Sequence, residues 1–145
     1  MMTNRFHLAI QAGDLESAIY FYCDVLGCTR GKAEFKYPDA WADINFWGNE
    51  LTLHATDPNK KNNGERHNVD MGNVSVPHFG VHLEAETFKK LKERLISKNI
   101  KFIDPPYVRF KGEKKEQETM FIEDPNGNCM EIKTMKNPGS LFENK

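Results

Sequence analysis

The fold of this chain is decided by the stretch Pro77-His78-Phe79-Gly80-Val81-His82-Leu83, because an earlier segment has the same character. Both this stretch and residues 6–10 are short and apolar-rich and carry a histidine near the start, which predicts two β-strands. A helix is predicted after each strand, from an N-cap at Asp14 to a stop at Gly27 and over about residues 86–97. The sequence therefore contains one strand–helix unit twice.

Each predicted helix is followed by strand and turn patterns that extend the repeat. Strands are predicted at residues 29–35, 41–47 and 50–55, then from 101, at 119–123 and at 129–134, with a loop over 109–118. His7 aligns with His78, and the turn Gly48-Asn49 aligns with Gly127-Asn128. We predict a single domain over residues 1–145, with βαβββ modules at about 5–56 and 76–135 and a polar linker loop at 57–75.

Composition excludes several classes of protein. The chain has 145 residues and a formal net charge of −1, so no basic excess favours nucleic acid or an anionic membrane surface. No segment approaches the roughly 20 apolar residues that cross a bilayer. Three scattered cysteines are typical of reduced thiols rather than a disulfide framework. We expect a cytoplasmic protein that binds neither nucleic acid nor membrane.

Several motifs in this order resemble the vicinal oxygen chelate superfamily, also called the glyoxalase/bleomycin-resistance/extradiol-dioxygenase group. They are a strand histidine followed by a helix with two aromatic residues, a second strand histidine, and a turn that leads into a strand glutamate: His7, Phe21-Tyr22, His78, Asp124 to Asn128 and Glu131. The resemblance implies an α+β fold in which two βαβββ modules form an eight-stranded, half-closed barrel. It also implies metal ligands on the first and last strands of each module, and a homodimer.

The candidate metal ligands are His7, His78 and Glu131. Two imidazoles and one carboxylate are the set that binds Fe²⁺ on one face and leaves positions open for substrate and O₂. The same set with water serves Zn²⁺ as a Lewis acid. We expect one divalent ion, Fe²⁺ in preference to Zn²⁺, Mn²⁺ or Ni²⁺.

The fourth ligand position falls on Thr52 when the two modules are aligned, and threonine is a poor metal ligand. His54 lies two residues further along the same strand face. It is a candidate fourth ligand, general base or hydrogen-bond partner of a ligand. The last two roles are favoured because a two-residue shift moves the side chain by roughly 6–7 Å.

The loop predicted at 109–118 carries the candidate substrate-binding residues Arg109, Phe110, Lys111 and Gln117. If this loop closed over a metal, its cationic side chains would bind an anionic or enolate-like small-molecule substrate. The alternative is a solvated basic loop, which the neighbouring charges at 113–116 support for part of it.

Three functions compete. The leading hypothesis is a metal-dependent enzyme of the dioxygenase or glyoxalase-like lyase or isomerase type, acting on a small oxygenated substrate. The second is a protein that sequesters a drug or metabolite, against which the complete ligand set argues. The third is fosfomycin-type thiol transfer, which uses the same two-histidine, one-glutamate set. The sequence shows no dedicated K⁺-binding loop or clear phosphonate clamp for it, although Arg109 and Lys111 could contact a phosphonate.

Overall fold

The computed structural model describes residues 4–62, 66–69 and 72–144, apart from the side chains of 66–69, 72 and 73. The chain divides into two compact units. The first unit consists of residues 1–63 together with 124–128, and the second of residues 64–123 together with 129–145. A short piece of the second module therefore belongs to the first unit.

The first unit is a βαβββ module with a four-stranded mixed sheet. Its elements are β1 (His7–Gly13), α1 (Leu15–Tyr20), which a π-helical turn continues over Phe21–Val25, then β2 (Thr29–Glu34), β3 (Trp41–Phe46) and β4 (Asn49–Ala55). The strand order is β1-β4-β3-β2, with β1 parallel to β4 and the other pairs antiparallel.

The helical segment formed by α1 and its π-helical continuation begins and ends where the sequence predicts. The carboxylate of Asp14 accepts hydrogen bonds from the backbone N–H and the hydroxyl of Ser17, at 3.0 and 2.6 Å, which satisfies a free donor of the first turn. The apolar face of the helix and its π-helical continuation is buried: Leu15, Ala18, Phe21, Tyr22 and Val25. The helical segment stops at Gly27, whose φ of +85° suits a glycine.

The second unit repeats the module. Its elements are β5 (Arg66–Val69), β6 (Gly72–Ser75), β7 (Phe79–His82), α2 (Ala85–Ser97), β8 (Asp104–Arg109), β9 (Gln117–Glu123), β10 (Cys129–Met135) and a 3₁₀ turn (Pro138–Ser140). The strand order β7-β10-β9-β8 matches that of the first sheet, and α2 buries Phe88, Leu91 and Leu95. The predicted α+β class and the paired βαβββ modules are confirmed.

The linker predicted as a loop contains the antiparallel hairpin β5–β6. The strand pattern is weak, because Val69 and Val74 are the only large apolar residues of the two strands. Val74 is fully buried and packs with Phe121 and Cys129, so a buried valine anchors the hairpin. The side chain of His67 in β5 lies outside the described residues.

The predicted loop at 109–118 is shorter than expected, and the C-terminal segment is bonded to the connection that remains. Arg109 ends β8 and Gln117 begins β9, so both lie on strands. The Nζ of Lys114 contacts the Glu143 carboxylate at 2.8 Å, and the Lys114 carbonyl accepts from Asn137 at 3.0 Å. The C-terminal segment thus holds the connection between β8 and β9.

The turn at residues 124–128 is bonded into the first unit. The side-chain amides of Asn126 and Asn128 both donate to the Gln11 carbonyl, each at 2.8 Å. The Asp124 carboxylate accepts from the Tyr22 hydroxyl at 2.8 Å and from the backbone N–H groups of Asn126 and Asn128 at 2.9 Å. Burial raises the pKa of Asp124, which these donors oppose, and burial beside Asp124 raises the pKa of Tyr22 well above its ordinary value.

Within the described part of the chain, every helix is too short or too polar to span a bilayer.

Candidate metal centre

Glu131 occupies the middle of β10 with its side chain only 11% exposed. Its Oε2 accepts a hydrogen bond from the Thr119 hydroxyl at 2.9 Å and lies 3.6 Å from the Lys133 Nζ. Sequence reasoning found Glu131 but missed Thr119, which lies two positions from the strand partner of Glu131 on the same face of β9. The carboxylate is therefore fixed in direction, with Oε2 held by its own sheet.

His78 directly precedes β7, and its ring approaches the same carboxylate. Its Nδ1 lies 2.9 Å from the Ser75 carbonyl oxygen, and its Nε2 lies 3.4 Å from Oε1 of Glu131. The ring also meets Phe121 edge to face, with centroids 5.5 Å apart. The second unit thus brings together two of the three side chains predicted as metal ligands.

Gly80 makes this arrangement of strands feasible. It is the register partner of Glu131 in the parallel pair β7–β10. A Cβ placed on Gly80 would lie 1.6 Å from the Glu131 carbonyl oxygen, far inside van der Waals contact. No sequence pattern indicated this requirement, since it arises from the approach of two backbones.

His7 lies in the first unit, at the start of β1. Its Nδ1 is 2.6 Å from Oε1 of Glu50, the residue opposite it in the parallel pair β1–β4. The side chains are 57% and 51% exposed. The structure therefore gives His7 a carboxylate partner that the sequence reasoning did not identify, although parallel pairing of β1 with β4 would have placed the two side by side.

Thr52 and His54 lie two residues apart, on the same face of β4. Thr52 is 8% exposed and its hydroxyl donates to the Asp43 carboxylate at 2.7 Å, so the fourth ligand position is already bonded within the sheet. His54 is exposed, between Gln11 of β1 and Trp41 of β3 in the strand register. In the described ranges, no three His, Cys, Asp or Glu side chains are grouped closely enough to hold a metal ion.

The predicted substrate-binding residues separate into two sets. Arg109 and Gln117 are register partners on β8 and β9, and the Arg109 guanidinium lies 4.7 Å from the Phe110 ring centroid. Phe110 and Lys111 are exposed at the end of β8. Gln117 is 8% exposed and its Oε1 is buried with no hydrogen-bond partner among the described residues. An unpartnered buried acceptor is costly, which makes Gln117 a candidate ligand contact.

His82 lies on β7, where it is the register partner of Lys133 on β10 and faces the same side of the sheet as Glu131. Burial, together with the charge of Lys133, lowers the pKa of His82, while the Glu131 carboxylate opposes the shift. Three basic side chains, those of His78, His82 and Lys133, therefore lie around the Glu131 carboxylate.

Comparison with known proteins places this chain in a family. Residues 5–132 match the model of the Glyoxalase/Bleomycin resistance protein/Dioxygenase superfamily. A comparison with curated proteins finds no match.

Solved structures share the fold over nearly the whole chain. A glyoxalase/bleomycin resistance protein/dioxygenase from Alicyclobacillus acidocaldarius is 31% identical, with a TM-score of 0.75 and 96% of each chain covered. The fosfomycin resistance protein FosX from Listeria monocytogenes is 14% identical, with a TM-score of 0.68 and coverage of 97% of this chain and 100% of that one. A domain from Frankia sp. is 14% identical, with a TM-score of 0.65 and coverage of 94% and 100%.

Proposed function

Because the chain belongs to the glyoxalase/bleomycin resistance protein/dioxygenase superfamily, we propose that it is an enzyme that holds one divalent cation and acts on a small oxygenated substrate. The proposed ligands are His78 and Glu131, with His7 as the third on the strength of the repeat alignment. Fe²⁺ is favoured over Zn²⁺, Mn²⁺ and Ni²⁺ because two imidazoles and one carboxylate suit its facial site. The proposed reaction is dioxygenase-like, or a glyoxalase-like lyase or isomerase step.

The observation that carries the proposal is the way His78 faces Glu131. A carbonyl oxygen only accepts, so the Ser75 carbonyl requires Nδ1 of His78 to carry the proton. In the neutral ring, Nε2 is then an acceptor, and it faces the carboxylate acceptor of Glu131 at 3.4 Å. Two acceptors that face each other need a cation between them.

The separation supports a metal ion rather than a proton as that cation. A proton shared by an imidazole and a carboxylate draws the two atoms to about 2.7–2.9 Å. Two ligand atoms at about 2.1 Å from one metal ion lie roughly 3.0–3.4 Å apart at the angles usual for such sites. The 3.4 Å between Nε2 and Oε1 therefore fits the donor set of a divalent cation.

The chain's own residues would orient the substrate. A divalent cation at this site supplies polarisation of substrate oxygens and stabilisation of negative charge that develops on them. Gln117 would accept a hydrogen bond from a substrate O–H or N–H group, which would satisfy its buried Oε1. Arg109, held over the Phe110 ring, and Lys111 would bind a substrate anion.

His54 is the proposed general base. Its exposure on β4 leaves the imidazole accessible to solvent and reactant, and histidine is the side chain best suited to proton transfer near neutral pH. A His54→Ala variant should lose turnover while it keeps its metal affinity. Loss of metal affinity in that variant would instead identify His54 as a ligand.

The decisive experiment is metal binding by protein purified under anaerobic conditions. Fe²⁺, Mn²⁺, Zn²⁺ and Ni²⁺ are titrated into wild type and into His7→Ala, His78→Ala and Glu131→Ala. Each ligand variant should weaken binding by more than about 100-fold, above the 10–100-fold typical of residues that only support a ligand.

Thr52→Ala is the matched control, since it removes a polar side chain from the aligned position of the other module and should leave metal affinity unchanged. If wild type binds all four ions no better than the triple variant His7→Ala/His78→Ala/Glu131→Ala, the proposed function is wrong. If metal binds but no catechol or enol consumes O₂, the lyase or isomerase form replaces the dioxygenase form.

A further inference from the structure

The two histidines predicted as ligands share an unexpected feature within their separate units. In each ring, Nδ1 is the nitrogen engaged by an acceptor: the Ser75 carbonyl at 2.9 Å for His78, and the Glu50 carboxylate at 2.6 Å for His7. In the neutral rings, both acceptors place the proton on Nδ1 and leave the lone pair on Nε2. The same tautomer is thus selected by a main-chain group in one unit and a side chain in the other.

We propose that Glu50 is a positioning residue that holds the His7 imidazole in the Nδ1–H tautomer and so leaves its Nε2 lone pair available to a metal ion. This inference rests on the ligand role of His7 in the proposed function. Ligating histidines commonly donate their second N–H to a carboxylate or carbonyl, which fixes the ring and makes it more basic.

The pairing of β1 with β4 explains why the carboxylate at residue 50 contacts the His7 imidazole. His7 and Glu50 are direct register partners in the parallel pair, so both side chains project from the same face of the sheet. The alternative partner on that face, Asp43, accepts from the Thr52 hydroxyl. Glu50 is therefore the acidic side chain that contacts the His7 ring.

The exposure of the pair argues against a role in holding the fold together. The two side chains are more than half exposed, and ion pairs in such positions contribute little to stability because water and salt screen them. Removing Glu50 should consequently leave a folded protein, which makes the orientation of the imidazole measurable without unfolding.

The test is long-range ¹H–¹⁵N correlation spectroscopy of the histidine rings in the metal-free full chain at about pH 8.5, roughly two units above the ordinary histidine pKa. In wild type, His7 and His78 should both show the Nδ1–H pattern. In Glu50→Ala, His7 should shift to mainly Nε2–H, the form an unconstrained imidazole prefers. In Glu50→Gln, whose amide oxygen still accepts a hydrogen bond, His7 should return to Nδ1–H.

Two controls separate a hydrogen bond from a change in charge. His78 should keep its tautomer in every variant, because its partner is the main chain. Asp43→Ala removes an equal charge from the same sheet and should leave His7 as Nδ1–H. A His7 ring that is Nε2–H in wild type, or that does not change in Glu50→Ala, overturns the inference.

Metal affinity then connects the tautomer to the site. Zn²⁺ binding should weaken about 10–100-fold in Glu50→Ala and recover in Glu50→Gln. If Gln fails to restore affinity while it restores the tautomer, Glu50 is itself a ligand and the positioning role is wrong. If wild type binds no metal but the tautomer follows Glu50 as expected, the proposed function fails and the control of the ring by Glu50 stands.

Discussion

The last strands of the two sheets present opposite arrangements at the same place. On β10, Glu131 is a nearly buried carboxylate that accepts from a threonine hydroxyl on the neighbouring strand β9. On β4, the aligned residue is Thr52, whose hydroxyl donates to a carboxylate, Asp43, on the neighbouring strand β3. The carboxylate is therefore on the last strand in the second unit and on the neighbouring strand in the first, and the hydroxyl takes the other strand in each.

This exchange changes which groups each sheet offers. In the second unit, Oε1 of Glu131 is turned toward His78, while in the first unit the Thr52 hydroxyl is turned toward Asp43 within the sheet. The strand opposite differs too, with Gly80 facing Glu131 and Ala9 facing Thr52. Two copies of one module have thus diverged into a sheet with a carboxylate aimed at a histidine and a sheet with an internal hydrogen bond.

The largest expected effect comes from the close approach of β7 to β10. Gly80→Ala should reduce the free energy of unfolding by about 3 kcal/mol, the upper range for overpacking, because its Cβ would clash with the Glu131 carbonyl. Urea denaturation measures this loss. The matched change in the first unit, Ala9→Ser at an exposed position, should stay within about 0.5 kcal/mol. Equal effects at the two positions would remove the contrast between the strand pairs.

A smaller difference is expected between the two threonines. Thr119→Val should cost about 2 kcal/mol, because it takes the hydroxyl donor from a buried carboxylate. Thr52→Val should cost about 1 kcal/mol, since Asp43 is only partly buried and water replaces the lost donor. Urea denaturation of both variants ranks the two bonds, and a reversed order would show that the sheets do not differ in this way.

The buried carboxylate of Asp124 gives a test through pH. Because burial raises its pKa, the folded state binds a proton at a pH where the unfolded state has released it. Its contribution is therefore fully present below the ordinary pKa of aspartate and falls as the pH rises through the raised value. The stability difference between wild type and Asp124→Asn should shrink over that interval in urea titrations.

Asp14 is the control of opposite sign. Hydrogen bonds from Ser17 lower its pKa, so its contribution is present above the ordinary value and is lost as the pH falls. Stability differences that move in the same direction for Asp124→Asn and Asp14→Asn would contradict both assignments.

The smallest effect should come from the C-terminal segment of the second unit. Glu143→Gln removes the carboxylate that contacts Lys114, an exposed pair that contributes about 0.5 kcal/mol or less. Amide hydrogen exchange in residues 110–116 should nevertheless speed up, because the segment restrains that connection. Phe142→Ala, at a side chain that is 94% exposed, should change neither quantity. A large loss of stability in Glu143→Gln would mean that the segment is part of the core.

The sequence predicted the elements well where periodic patterns are strong. The first helical segment with its Asp14 cap (α1 and the π-helical turn), the turn at Gly48 and the final strand all appear within one or two residues of the expected bounds, because capping and turn chemistry are local. The sequence predicts loops at the hairpin β5–β6, at the last residue of β8 and at the first two residues of β9, because these residues are mostly polar. They are strands through pairing with neighbours, which a local pattern does not encode.

The candidate site was only partly predictable for the same reason. Repetition identified His78 and Glu131, and the structure brings them together within the second unit. The partners that orient them, Ser75 and Thr119, and the glycine that lets β7 approach β10 depend on three-dimensional register. The sequence predicts a loop at Gln117, whereas its unpartnered side-chain carbonyl oxygen is buried on strand β9.

The turn at residues 124–128 has a consequence for the order in which the protein can be made. The hydrogen-bond partners of the Gln11 carbonyl and the Tyr22 hydroxyl lie more than 100 positions later in the chain. At a synthesis rate of 5–20 residues per second, the gap from residue 63 to residue 128 takes roughly 3–13 s. During that time all strands of the first sheet have been synthesised, but the hydrogen bonds from residues 124–128 to Gln11 and Tyr22 cannot form. The N-terminal half should therefore acquire its full stability only after most of the second half has been translated.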